Sequence, residues 1–377
     1  MDSLTGLRWF AAFGVFLFHA RSYFKESQGA FDLADIGYEG VPFFFVLSGF
    51  VMTWVARPSD TPGRYYWRRF ARIWPMLAVT TAATVALMKW WWHAPVSAAD
   101  IVWTLTFTQA WTTEHFMTMN IVTWTLSVEA FFYLAFPLIL RLLLRRTNTL
   151  LAVLAALCVA ATALSRVVVT ELDRSVEVER LMVSSPLALT PMFLLGVCTG
   201  LLVRRGWRPR IGTGTAAALT GGTILLLWLW MRDPGLLHPF RGEIGFFDAV
   251  LMPVFALLIV AAALGDVSGR RSLLRSRVLV RLGEWSFAYY LCHAVVLKVV
   301  EHLGHGPSKG LRTDLVEMAG AAVAALVVAA ALHEWVEKPA ERRLRGLLPA
   351  RRDSARRDPA HDLEGTHDRP RATTMAG

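Results

Sequence analysis

The sequence predicts an all-α fold, a polytopic membrane bundle of about ten transmembrane helices, on three observations. Hydrophobic residues make up 55% of the 377 positions, with 15 Trp and 22 Phe, and mean hydropathy is +0.43. The apolar residues fall in blocks of about 20, the length at which an α-helix crosses a bilayer. Clusters of Arg stand just past those blocks, where the positive-inside rule puts them. A net charge of +10 would by itself suit a nucleic-acid binder. Its placement in short loops instead makes the lipid bilayer the partner, with no nucleic acid.

The spans are expected at 7–24, 37–56, 75–92, 122–144, 149–169, 186–203, 211–231, 246–264, 286–304 and 313–335. The stretch 101–116, "IVWTLTFTQAWTTEHF", is short and polar and reads as re-entrant or interfacial. Ten crossings from a cytosolic N-terminus keep Arg64–Arg72, Arg145–Arg146, Arg204–Arg210 and Arg270–Arg281 on one side. The opposite loops, "KESQGAFDLAD", "ELDRSVEVER" and "RDPGLLHPFRGEIG", are mixed or acidic. A full crossing at 101–116 would invert the later Arg loops, so ten spans fit better. The expected location is the inner (plasma) membrane, with both termini cytosolic. The N-terminus does not read as a cleaved signal peptide, because Arg8 and His19 interrupt it and no small-x-small site follows. Residues 1–345 read as one membrane domain and 346–377 as a polar, disordered cytosolic tail. Cys158, Cys198 and Cys292 lie in apolar blocks without a CxxC pair, so free thiols and no metal site are expected.

Ionisable side chains within the spans carry the functional signal, since each costs about 2.5–3.5 kcal/mol at mid-bilayer on insertion scales. Arg8 and His19 bracket "RWFAAFGVFLFH". Their separation turns an α-helix about 20° beyond three full turns, which sets both on one face roughly 16 Å apart. Arg8 either snorkels to the cytosolic edge or lines a site. His19 is either a neutral, hydrogen-bonded core residue or a catalytic one. In "YYWRRFARIWP", Arg69 and Arg72 project to one side of a helical turn in a cytosolic loop. They form either a fork for phosphate oxygens or a plain topology signal. Glu129 in "TWTLSVEAFFYLAFPL" is a buried acid with Tyr133 one turn on. It must be protonated or paired, with Arg8 or His19 as available partners. His293 in "SFAYYLCHAVVL" lies mid-span, one turn after Tyr290, and a structural role is its default. Ser48–Gly49 in "FFFVLSGFVM" reads first as a close helix contact. Glu334 and Glu337 in "LHEWVEKPAERRL" either meet loop arginines or mark a helix end.

The order of these motifs resembles the acyltransferase-3 family of integral membrane acyltransferases. "LTGLRWFAAFGVFLFHA", "FFFVLSGF", "RRFARIWP", "WTLSVEAFFYLAFPL", "LGEWSFAYYLCHAVVL" and "EKP" carry the resemblance from residue 3 to about 340. Arg8 with His19, followed by Arg69 with Arg72, match the family's signature residue by residue. The resemblance implies transfer of an acyl group, usually acetyl, from cytosolic acyl-CoA to a hydroxyl, usually on a sugar. It implies that His19 is essential and that the RxxR pair helps hold the donor. The chain departs from the family at Thr5 and Ala130, where many relatives carry Asp and Glu. The extra esterase-like domain of many relatives is not expected from these residues.

Chemically, a neutral His19 suits a general base near neutral pH, and nucleophilic catalysis is the alternative. The acceptor reads as a cell-envelope glycan or a natural-product glycoside such as a macrolide sugar. A rival reading is a proton-coupled secondary transporter with His19, Glu129 and His293 as a relay. Repeated halves and interrupted helices, common in transporters, are not evident.

Overall fold

The computed structural model describes residues 1–23, 32–57, 60–169, 175–232, 244–303 and 310–348. The expected tail lies almost wholly outside the described residues, as do parts of the three acidic or mixed loops. Within the described residues every regular element is helical, as the apolar blocks require.

Helix α1 spans Asp2–Ala20, with Asp2 in its first turn, where a carboxylate suits the helix dipole. A 3₁₀ segment, Asp32–Glu39, leads into α2, Gly40–Val55. α3 runs from Pro62 to Trp90. Proline is well placed at its first turn, and Pro75 is carried inside the helix without ending it. This corrects the sequence reading: Arg69 and Arg72 belong to a helix that starts well before position 75, not to a loop. Pro75 lacks an N–H and leaves one carbonyl unpaired, which membrane helices tolerate when neighbouring groups compensate.

The polar stretch after α3 forms α4, Ala98–Leu105, and a 3₁₀ turn, Gln109–Trp111. Eight residues cannot cross a bilayer. The segment instead folds back on α5, Trp124–Leu143, where Ser127 Oγ donates to the Phe107 carbonyl at 2.5 Å. There follow α6 (Asn148–Val167), α7 (Val176–Val183), α8 (Thr190–Arg204), α9 (Thr213–Arg232) and α10 (Ile244–Val267). The chain then forms α11 (Arg277–Leu303) and α12 (Leu311–Leu332). A π-helical turn at His333–Glu337 joins α12 to α13, Lys338–Gly346.

Among the described residues, seven helical stretches are long and apolar enough to cross a membrane, and they overlap seven of the expected spans. The other three fall on α1, α8 and α11. α8 has only 15 residues, and α1 and α11 carry the site's own Arg and His residues.

α1 lies at the centre, packed on α2, α11 and the 3₁₀ segment, while α2 packs on α8. The α2–α8 crossing depends on Gly49 and Gly196, because a Cβ on either would collide with a backbone carbonyl of the other helix. The rim differs from the centre. Only 17% of the α9 window is buried, against 72% for the span ending in α2. Exposed Leu225, Leu226, Val323 and Val327 on α9 and α12 give the apolar exterior that lipid requires.

Candidate active site

A cavity of about 310 Å³ opens between α1, α2, α3, α5 and α11, within the size range of small-molecule sites. Arg8, Ser48, Arg69, Arg72, Glu129 and Tyr133, all singled out from sequence, line it together. Phe44, Phe45, Thr125, Ser286, Phe287 and Tyr290 complete the walls.

The three arginines are held differently. Arg72 Nη1 donates to Glu337 Oε1 at 2.6 Å and to Glu341 Oε2 at 3.2 Å. Glu337 also accepts from His333 Nδ1 at 2.8 Å, and its side chain is 1% exposed. The closing "EKP" acid therefore meets α3, and Glu334 likewise pairs with Arg281 and Lys338. Trp67 Nε1, donating to the Leu344 carbonyl at 2.6 Å, fastens α13 to α3 nearby.

Arg69 has no carboxylate partner among the described residues. Its guanidinium lies 5.4 Å from the Tyr133 ring centroid and 5.8 Å from that of Tyr65, and its Nε is buried without an acceptor. Arg8 senses Glu337 and Glu129 only through longer-range electrostatics. It forms no hydrogen bond or ion pair among the described residues. Thr5 and Ala130 supply no acid to neutralise it, and Thr5 instead abuts Gly283 of α11. Among the described residues the cavity thus holds two guanidiniums that form no salt bridge and share only the longer-range field of Glu129, an excess of positive charge that suits an anion.

Glu129 accepts a short hydrogen bond from the Tyr133 hydroxyl, as their spacing of one turn predicts. Arg69, Arg72 and Arg8 surround it electrostatically. His19, offered by the sequence as an alternative partner, is not beside it. The outer end of the same α1 face brings His19 to His293 instead: His293 Nε2 lies 3.2 Å from His19 Nδ1. His19 Nδ1 also contacts the Val15 carbonyl at 2.9 Å, and His293 Nδ1 the Tyr290 carbonyl at 2.7 Å. Carbonyl oxygens only accept, so in the neutral pair each Nδ1 carries the proton. The one His19 Nδ1 proton is then shared between the Val15 carbonyl and His293 Nε2, and the His19 Nε2 lone pair is left without a partner among the described residues. His293, read from sequence as structural by default, lies directly against His19.

Tyr290 separates the two halves. It lines the cavity, its hydroxyl lies 3.0 Å from Thr125 Oγ1, and its ring lies tilted against His293 with centroids 5.8 Å apart. Thr125 escaped the sequence reading, because a hydroxyl in a membrane helix usually bonds its own backbone. Ser48 Oγ bonds Met52 Sδ and presents the rest of its surface to the cavity, beside the close-packed Gly49.

Near the arginine-rich end a second cavity of about 230 Å³ shares Met52 and Arg69 with the first. Arg57, Asp60, Arg68 and Arg141 line it. Arg68 bonds Asp60 at 2.9 Å and holds that carboxyl below its ordinary range.

The family model described as an acyltransferase domain matches residues 1–334. Among curated relatives, "Acyltransferase MdmB" of Streptomyces mycarofaciens is 35% identical, covering 96% of each chain. "Exopolysaccharide production protein ExoZ" of Rhizobium meliloti is 27% identical over 82% of this chain and 90% of its own. "Nodulation protein 10" of Rhizobium leguminosarum is 27% identical over 92% and 94%. No solved structure matches the chain. With its motif residues converging on one cavity and one histidine pair inside a helical membrane bundle, the chain belongs to the acyltransferase-3 family and is a multi-pass membrane O-acyltransferase.

Proposed function

We propose that the protein transfers an acyl group from cytosolic acyl-CoA to a hydroxyl of a sugar-containing acceptor, with His19 as general base. The observation that carries this reading is the coexistence, on one face of α1, of an unpaired cationic cavity and a neutral histidine with a free Nε2.

The arginine-rich end faces the cytosol by the positive-inside rule. Donor phosphates bind Arg69 and Arg8, with Arg57 and Arg141 in the adjoining cavity taking the nucleotide end. The thin pantetheine arm extends past Ser48 and Phe44 toward Tyr290. The acceptor hydroxyl meets His19 from the opposite side. His19 Nε2 removes its proton as the oxygen attacks the thioester carbonyl, and the C–S bond then breaks. The imidazolium returns the proton to the departing thiolate, so His19 ends neutral. His293, accepting from His19 Nδ1, holds the tautomer and steadies the transient charge.

Arg72 has a different task, since its charge is spent on Glu337 and Glu341. It braces the cavity wall, and Glu129 with Tyr133 sets the field around Arg69. The transporter relay has less support, because a relative covered over 96% of each chain is named an acyltransferase.

Whole-length similarity to a named acyltransferase supports acyl transfer, and a natural-product glycoside such as a macrolide sugar is one acceptor class we propose. Similarity to an exopolysaccharide production protein favours an envelope glycan. Mass spectrometry of glycans and secreted metabolites from a deletion strain identifies acceptor and acyl chain together. Loss of no O-acyl group from either pool would overturn the proposal.

A further inference from the structure

A second set of ionisable residues lies inside the bundle, apart from the arginine cavity. Glu39 ends the 3₁₀ segment, Asp248 stands on α10 and Arg166 near the end of α6. They are 2%, 0% and 4% exposed. Arg166 donates to Asp248 through a short ion pair. The Glu39 carboxyl faces this ion pair electrostatically, and neither Glu39 oxygen receives a hydrogen bond among the described residues. Among the described residues, two acids face one guanidinium, so one carboxyl must either hold its own proton or take a positive charge from a bound group, and an amine that accepts that proton satisfies both.

Glu39 also lines a groove of about 460 Å³ between α1, the 3₁₀ segment, α9 and α10. The remaining walls are almost entirely apolar, among them Leu17, Ile224 and Leu258. Phe10 and Leu33 at the rim are 54% and 51% exposed, so the groove opens sideways toward lipid. On α1 it uses Leu7, Phe10, Gly14 and Leu17. His19 projects about 140° around the helix from Gly14, which separates the groove from the histidine pair.

We propose that this groove binds an amphiphilic amine, with its apolar body along α1 and α9 and its protonated nitrogen on Glu39. Charge complementarity selects the class: an ammonium balances the surplus acid, a neutral alcohol leaves it unbalanced and a carboxylate is repelled. Depth selects a free amine over a lipid headgroup. Gly40, the next residue, packs on Ala11 and Val15 in the middle of α1, where a phosphate-bearing headgroup would have to leave the interface.

The test uses the full chain in phosphatidylcholine nanodiscs, with radiolabelled dodecylamine and dodecanol counted as saturable binding above empty discs. Dodecylamine binds at least about tenfold more tightly than dodecanol, the scale of one charge-assisted hydrogen bond. Glu39→Gln erases that difference, and Ile224→Trp, which fills the groove, removes both ligands. Equal binding of amine and alcohol to the unaltered protein overturns the proposal. So does an amine preference that survives in Glu39→Gln or in Ile224→Trp, and the latter variant decides alone if Glu39→Gln fails to fold. Displacement of dodecylamine by added phosphatidylethanolamine overturns the free amine as occupant.

Discussion

The two ends of the α1 face solve different electrostatic problems. At the arginine-rich end, Arg8 and Arg69 keep positive charge unpaired, so the cavity is poised for an anion that arrives with the donor. At the other end, His19 and His293 are satisfied by each other and by backbone carbonyls, and one lone pair alone is left open. Binding a polyanion calls for surplus charge, whereas removing a hydroxyl proton calls for a neutral acceptor. Placing both in one cavity would pit them against each other, because nearby guanidiniums disfavour protonation of an imidazole. About three helical turns of α1, with Tyr290 between, keep them apart.

The contrast can be broken most sharply at the histidine end. His19→Ala is expected to lower kcat by roughly 10²–10⁴ with little change in KM for acyl-CoA, measured as radiolabelled acyl transfer in membranes. Retention of full activity would remove His19 from the chemistry. Arg72→Ala is expected to act on stability, because it strands the buried Glu337. Breaking such a pair costs up to about 3 kcal/mol, visible as a lower Tm in detergent, and Glu337→Gln in the same chain should restore part of it. An unchanged Tm combined with a raised KM would return Arg72 to donor binding.

Smaller effects refine the division. His293→Ala is expected to reduce kcat about tenfold through loss of His19 orientation, with His293→Asn, whose side-chain oxygen still accepts, recovering most of it. Equal losses in both variants would assign His293 to packing. Arg69→Ala is expected to raise KM for acyl-CoA roughly tenfold while leaving kcat and Tm near their starting values. That KM effect should shrink as salt increases, since phosphate contacts near the mouth are screened.

Much of this site was legible in the chain because ionisable residues in apolar helices are conspicuous. Arg8, Glu129, Arg69, Arg72, Tyr133 and Ser48 do share one cavity. The same rule applied to "GYEGVPFFF" and "FFDAVL" would have found Glu39 and Asp248, which drew no notice beside the motif residues. What escaped entirely was Thr125, a hydroxyl with no distinguishing pattern, and the helical state of the RxxR pair, hidden by a proline that the helix absorbs.

Sequence alone determined the helical membrane class, seven of the expected spans and the shared face of Arg8 and His19, because hydropathy and the 3.6-residue turn are local properties. The tertiary structure decided which partners met: His293 rather than Glu129 for His19, Glu337 for Arg72, and, among the described residues, no salt-bridged acid for Arg8 or Arg69. Those pairings join residues up to 274 positions apart. Helix periodicity fixes which face a side chain occupies, but which helix lies against that face is settled only by packing the whole bundle.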